Sequence, residues 1–279
     1  MSNPFFAEIE RGARLAEKEL GINLIMHAAA QATSVDQQIQ IVDGLVRDQV
    51  DAIVIAPIHS VDLIPVLKKA QDQGVVIVNI DNRLDLVQCE RSGLVDVPFI
   101  STDNFEGAYL AARYISQEID HPVDAAILEG VPSAQNAVDR KMGALKAFRE
   151  NPMVHVLASE TAHWKIDEAY EVTRDLFERY PGISLMFCAN DLMALGAIEY
   201  LEETGNTTVR VAGFDALDEA KQAILDGSLA VTIDQRPAEQ GYLGIYRAFQ
   251  LLSGQEVEPE TILNPVLIDP DTLSQSNEP

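Results

Sequence analysis

The chain has 279 residues, 47% of them hydrophobic, with a mean hydropathy of zero, which suits one large domain or two of moderate size. Twenty Lys and Arg against 44 Asp and Glu give a net charge of −24 and a pI near 4.4, a surface that repels a phosphate backbone and argues against nucleic acid as a partner. No apolar run is long enough to span a bilayer, and Cys89, Cys188 and the five histidines offer no zinc-ligand spacing, so neither a metal nor a cofactor is expected.

In chain order, "MSNPFFAEIERG" starts a helix almost at once, with Phe5 and Phe6 at its mouth, where a ring can face either a core or a cleft. "NLIMHAA" (23–29) reads as a strand, and Val35, Ile39, Val42 and Val46 form one face of a helix over 35–49. "AIVIAP" (52–57), "GVVIVNID" (74–81) and "PFIST" (98–102) are further strands, the second ending on Asp81 and Asn82. "DAAILEG" (124–130) precedes a helical stretch, 131–148, that carries Arg140 near its start. A cation there opposes the helix dipole, so Arg140 is either simply exposed or held for a neighbour or ligand. "VHVLASE" (154–160) leads to the loop "TAHWKID" with Trp164, the single Trp. "SLMFCAN" (184–190) places Cys188 as a small buried hydrophobe and ends on Asn190 and Asp191. Asp191, directly before "LMALGAIEYL", reads as a helix N-cap, with Leu192, Leu195, Ile198 and Leu201 as the apolar face. "VRVAGFD" (209–215) ends on Asp215, and "AVTID" (230–234) is followed by Gln235. Leu243, Tyr246, Phe249 and Leu252 give a face to 237–252, and "PVLID" (265–269) is the last strand before a polar tail.

Unbroken apolar strands alternating with amphipathic helices argue an α/β fold with parallel sheets. Ten strands are many for one sheet, so two Rossmann-like lobes are expected: 1–102 with 236–262, and 103–235 with 263–279. The chain would cross between them near 102–104, 234–237 and 262–265. Ligands of open α/β sheets bind beyond the carboxyl ends of the strands. There the sequence places carboxylates and amides, and it adds exposed-loop aromatics. Planar polar groups that bind hydroxyls in pairs, with rings to cover a C–H face, are the inventory for a sugar.

The segments "SNPFFAEIERGARLAEKELG", "STDNFEGAYLAARYI", "NAVDRKMGALKAF", "MFCANDLMALGAI", "VRVAGFDA" and "DGSLAVTIDQRPAEQGYLG" resemble the type I periplasmic binding proteins of the ribose-binding group, which are related to the effector domains of LacI-type regulators. The resemblance runs through nearly the whole chain. It implies two lobes that close on a monosaccharide or polyol, contacted by Asn3, Phe5, Phe6, Asp81, Asn82, Asn136, Arg140, Trp164, Asn190, Asp215 and Gln235. It further implies delivery to an ABC transporter permease, a periplasmic location and a monomer. Three departures leave the sugar open: Asp81 is followed by Asn82 rather than Arg, Ala56 stands where ribose binders carry Asn, and Val138 stands where they carry a further Arg, with Asn136 or Asp139 as substitutes. A sensor domain of a regulator or sensor kinase is the alternative function. A glycosidase using Asp81 and Asp215 as a carboxylate pair is a third reading, but no nucleophile–base pairing accompanies them.

Two further expectations follow. Truncating Asp81 or Asp215 should cost binding about 2–4 kcal/mol with little change in stability. The family's first strand, which lies between its second and third, is not encoded ahead of "NPFF" here. "NLIMHAA" and "AIVIAP" should therefore not pair, and the natural polypeptide is expected to extend upstream with that strand and a secretory leader.

Overall fold

A computed structural model describes residues 3–28 and 34–276. In chain order the elements are α1 (Phe5–Leu20), α2 (Val35–Arg47), β1 (Ala52–Ile55), α3 (Ile64–Gln71), β2 (Val76–Ile80), α4 (Leu86–Ser92), β3 (Phe99–Thr102), α5 (Asn104–Ser116), β4 (Val123–Glu129), α6 (Gln135–Glu150) and β5 (Val154–Thr161). They continue with α7 (Ile166–Arg179), β6 (Ile183–Cys188), α8 (Asp191–Glu203), β7 (Arg210–Ala212), α9 (Asp218–Asp226), β8 (Thr232–Asp234), α10 (Pro237–Leu252), β9 (Glu260–Leu263), β10 (Val266–Ile268) and α11 (Pro270–Ser276). The chain divides into two compact units: residues 1–102, 133–135 and 236–263, and residues 103–132, 136–235 and 264–279.

The first unit holds a parallel sheet in the order β1-β2-β3-β9. β1, β2 and β3 are largely buried apolar runs, whereas the edge strand β9 is mostly exposed. One face packs Ile53, Ile55 and Ile77 against Leu63 at the N-cap of α3, Ile64 and Leu67 from α3, and Val42 from α2. Against the other face lies α10, and α1 packs on α10; the two helices approach closely because glycine occupies their crossing. A Cβ on Gly12 would stand 1.7 Å from the carbonyl oxygen of Ala238, and one on Gly241 would stand 2.0 Å from that of Ile9. This corrects the expected apolar face of α10. Its buried stripe is Pro237, Gly241, Gly244, Ile245 and Ala248, whereas Leu252 is exposed. Small residues seat the helix there, and hydropathy undervalues them.

The expected strand at 23–29 does not form. Residues 22–28 carry no strand, and Ala29 lies outside the described residues. The segment and β1 do not pair, and among the described residues β1 is bonded to β2 alone. Without a ladder partner, an apolar run such as "NLIMH" has nowhere to place its backbone groups as a strand. Conversely, β9 ("ETIL") was missed, because four residues between Pro259 and Asn264 offer little pattern.

The second unit holds a parallel sheet in the order β5-β4-β6-β7, and β8 runs beside β7 through a parallel bridge from Ala212 to Val231. Ile127, Leu128, Leu185 and Phe187 fill its centre, covered by Phe148 of α6 and Leu176 of α7. Antiparallel β10 pairs with β8, the one departure from parallel pairing among the described strands. The α8 face is also corrected. Gly196, Ala197, Ile198 and Leu201 are buried, and a Cβ on Gly196 would stand 2.1 Å from the Ile166 carbonyl of α7, while Leu192 and Leu195 are only half-buried. Because every strand of this sheet points the same way, the residues that follow β4, β5, β6, β7 and β8 gather at one edge.

Candidate functional site

That edge of the second unit carries a buried polar cluster. Arg140, six residues into α6 and 3% exposed, donates from Nε to Asn104 Oδ1 at 2.8 Å and from Nη1 to the Ala189 carbonyl at 2.8 Å. Its Nη1 also lies 3.5 Å from Asp215 Oδ1, and Gln235 Nε2 donates to the same oxygen at 2.5 Å. The guanidinium lies over the Phe214 ring at 3.8 Å and beside the Trp164 ring at 5.5 Å. Of the two readings of Arg140, the structure therefore selects the held one. A guanidinium almost out of water needs such partners, since an unpaired buried charge is costly.

Local backbone geometry aims the rest. Asn190 caps α8, its Oδ1 accepting from the Met193 amide at 2.9 Å, and its Nδ2 reaches the Trp164 carbonyl at 3.5 Å. The N-cap assignment to Asp191 is thereby corrected. Asp191 opens the helix and is fully buried, accepting from Thr232 Oγ1 at 2.7 Å and from the Leu217 amide at 2.9 Å. Burial pushes its pKa up to about 6, against the opposing pull of those hydrogen bonds and of Arg140. Gly213 makes the room, because a Cβ there would stand 2.2 Å from Asp191 Oδ1. Asp191 thus ties α8, the 213–217 loop and β8 together behind Asp215. Asn136 lies buried in the first turn of α6.

In the first unit, Asn3 Oδ1 accepts from the Phe5 amide at 3.0 Å and fixes the entry to α1. Phe5 is buried and Phe6 exposed, edge to face with centroids 5.3 Å apart. Asp81 follows β2, held by its amide on the Ile100 carbonyl at 3.0 Å and by Ser101 Oγ on its own carbonyl at 2.7 Å. Asn82 Nδ2 donates to the Pro57 carbonyl at 3.0 Å, and Asn79, buried in β2, donates to the Asn82 carbonyl at 2.8 Å and accepts from the Leu84 amide at 2.9 Å.

Eight described non-glycine residues have φ in the left-handed region, and three of them are sequence-expected site residues: Asp81 (61°), Trp164 (66°) and Asp215 (128°). Backbone held in such regions costs about 1–3 kcal/mol per residue and collects at functional sites. Asp81 belongs to the first unit and Asp215 to the second.

A family model described as a periplasmic binding protein domain matches residues 1–256. The chain belongs to the periplasmic binding protein domain family. It is 35% identical over 265 residues to the D-ribose/D-allose-binding protein of Pseudomonas aeruginosa, covering 93% of this chain and 82% of that protein. It is 29% identical to the D-allose-binding periplasmic protein of Escherichia coli, covering 88% of this chain and 79% of that one. A solved ABC transporter periplasmic solute binding protein from Actinobacillus succinogenes, with bound D-allose, is 34% identical, with a TM-score of 0.92 over 99% of this chain and 96% of that one. The sequence resemblance to sugar-binding members of this family thus holds, as does the α/β fold.

For this periplasmic binding protein domain, sequence reasoning missed Asn104, Asp191 and Phe214 as parts of the cluster. In the sequence Asn104 falls in the expected crossing near 102–104, and Asp191 reads as a cap. "GFD" did carry a signal, since an aromatic next to a strand-end Asp can stack on a cation. Among the described residues no group of three or more His, Cys, Asp or Glu could hold a metal ion.

Proposed function

We propose that this chain is the solute-binding protein of an ABC importer and that its ligand is a monosaccharide of the allose or ribose type. The observation that carries this reading is the Arg140–Asp215–Gln235 cluster set against Phe214 and Trp164. A guanidinium, a carboxylate and an amide held in place by one another can each face sugar hydroxyls without reorganising, with Phe214 backing the guanidinium and the Trp164 ring free to cover the C–H face. Relatives that bind D-ribose and D-allose support the choice of ligand.

In this reading Asp215, Arg140, Gln235, Asn190, Asn136, Trp164, Asn3, Phe5, Phe6 and Asp81 contact the sugar. Asn82, whose amide is bonded to the Pro57 carbonyl, holds the loop that presents Asp81. The role is binding without turnover, in the periplasm, with a permease as protein partner. Hinge closure around ligand is general for such proteins, and the chain passages at 102–103, 235–236 and 263–264 would flex. Small-angle scattering should then show a smaller radius of gyration with sugar bound.

A thermal-shift panel of pentoses, hexoses and polyols tests the ligand class. A ligand that binds only the folded state raises the melting temperature by mass action, so D-allose or D-ribose should raise it in a concentration-dependent way. A panel with no shift at millimolar sugar would refute the reading, and sugar disappearing with product formed would refute the absence of turnover.

A further inference from the structure

The Trp164 ring rests directly on a residue that has no side chain. Gly130 follows β4 and is buried, and a Cβ built on it would stand 2.0 Å from both Cη2 and Cζ2 of the indole and 2.4 Å from Cε2. Carbon atoms in ordinary contact lie about 3.5–4.0 Å apart, so ring and Cβ cannot coexist in this arrangement. No left-handed backbone requires glycine here. Its φ lies outside the left-handed region, among glycines of which six others do fall within it.

The loop bearing Trp164 cannot easily move away. Thr161 Oγ1 donates to the Gly130 carbonyl at 2.7 Å, the Ala162 amide to the Glu129 carbonyl at 3.0 Å, and the His163 amide to Thr161 Oγ1 at 3.2 Å. His163 and Trp164 are consecutive left-handed residues. The main chain is therefore stapled to the end of β4, and the indole lies between Gly130 and the Arg140 guanidinium, which is 5.5 Å from the ring centroid.

We propose that Gly130 is a specificity-determining residue, which sets the depth of the Trp164 ring and so the size of sugar the site admits. The assignment rests on the reading above that Trp164 faces the sugar. A methyl group at position 130 would force the ring out of its seat into the space a ligand needs. D-allose carries a hydroxymethyl group that D-ribose lacks, so the larger hexose would suffer more than the pentose. The three atoms that collide lie on the six-membered part of the indole, the part a phenylalanine at 164 would not carry in that place.

The test is a double-mutant cycle, with D-allose and D-ribose affinities measured by calorimetry for wild type, Gly130→Ala, Trp164→Phe and the double variant. Gly130→Ala should weaken D-allose binding about tenfold or more, the scale on which a pocket senses one methylene, and weaken D-ribose less. In the Trp164→Phe background the same substitution should change either affinity by less than about threefold. Equal effects in both backgrounds, or an unchanged allose-to-ribose ratio, would overturn the assignment while leaving the sugar-binding reading intact. Wild type that binds neither sugar nor any other monosaccharide would overturn both. Should Gly130→Ala alone fail to fold, the double variant decides: binding equal to that of Trp164→Phe supports the assignment, and lost binding overturns it.

Discussion

Arg140 and Asp215 are 3% and 5% exposed and lie on each other, which changes what a truncation should do. The sequence led to the expectation that losing Asp215 would touch binding alone. Removing one member of a buried ion pair leaves the other uncompensated, at about 3–5 kcal/mol. Arg140 keeps Asn104 and the Ala189 carbonyl, so Asp215→Ala should lose about 2–3 kcal/mol of stability in urea titration besides its affinity. Unchanged stability would mean that the pair is not formed in solution. Asp191 makes a second, pH-dependent case. Its folded pKa is raised, to about 6 from 3.8, so its contribution to stability is fully present below pH 4 and is lost as pH rises through 6. Asp191→Asn keeps the shape and cannot ionise. Its stability relative to wild type should rise by about 3 kcal/mol between pH 4 and pH 7.5, and a difference that stays flat across that range would contradict the burial argument. At this scale the strand-end polar residues were legible, because open parallel sheets advertise their ligand edge. The hydrogen-bond roles behind them were not: whether Asn190 or Asp191 caps α8 depends on a Thr232 that is 41 residues away.

Glycine does opposite work in different helices. At Gly12 and Gly241 a side chain would meet a carbonyl of the partner helix, whereas at Gly44 in α2 the nearest atom to a Cβ is the end of the Arg47 side chain at 3.9 Å. Gly44→Ala should therefore stabilise by about 0.5–1 kcal/mol through helix propensity. Gly12→Ala or Gly241→Ala should destabilise by about 2 kcal/mol or more, since backbone cannot step aside as a side chain can. Urea midpoints of the three variants check the contrast, and a stabilised Gly12→Ala would show that α1 and α10 do not pack as described. The same residues explain where element reading failed. Strands buried from both faces are short apolar runs and were found readily, as in "AIVI" and "SLMFC". The expected faces of α8 and α10 fail because their contacts use Gly and Ala, and the run at 23–29 reads as a strand although a strand also needs a neighbour to pair with.

For the molecule as a whole, the charge of −24 works against compactness. The surface ion pairs are mostly half-exposed and individually worth little. Screening the net repulsion should outweigh their loss, so the melting temperature should rise between low salt and about 0.15 M, where the Debye length is about 8 Å. A fall would indicate that specific pairs dominate. Trp164 offers a built-in reporter, as the sole Trp beside Arg140. Its fluorescence should change saturably with a true ligand, and a flat signal during proven binding would remove it from the site. The central claim is that the Arg140–Asp215–Gln235 cluster recognises a monosaccharide. Calorimetric titration of D-allose and D-ribose into wild type and Asp215→Ala, side by side, tests it most directly. We expect one site per chain in wild type for at least one of the two, and an affinity lower by about 30-fold or more in the variant, the equivalent of about 2 kcal/mol or more. Equal affinities in the two proteins, or no saturable heat from either sugar with wild type, would contradict it.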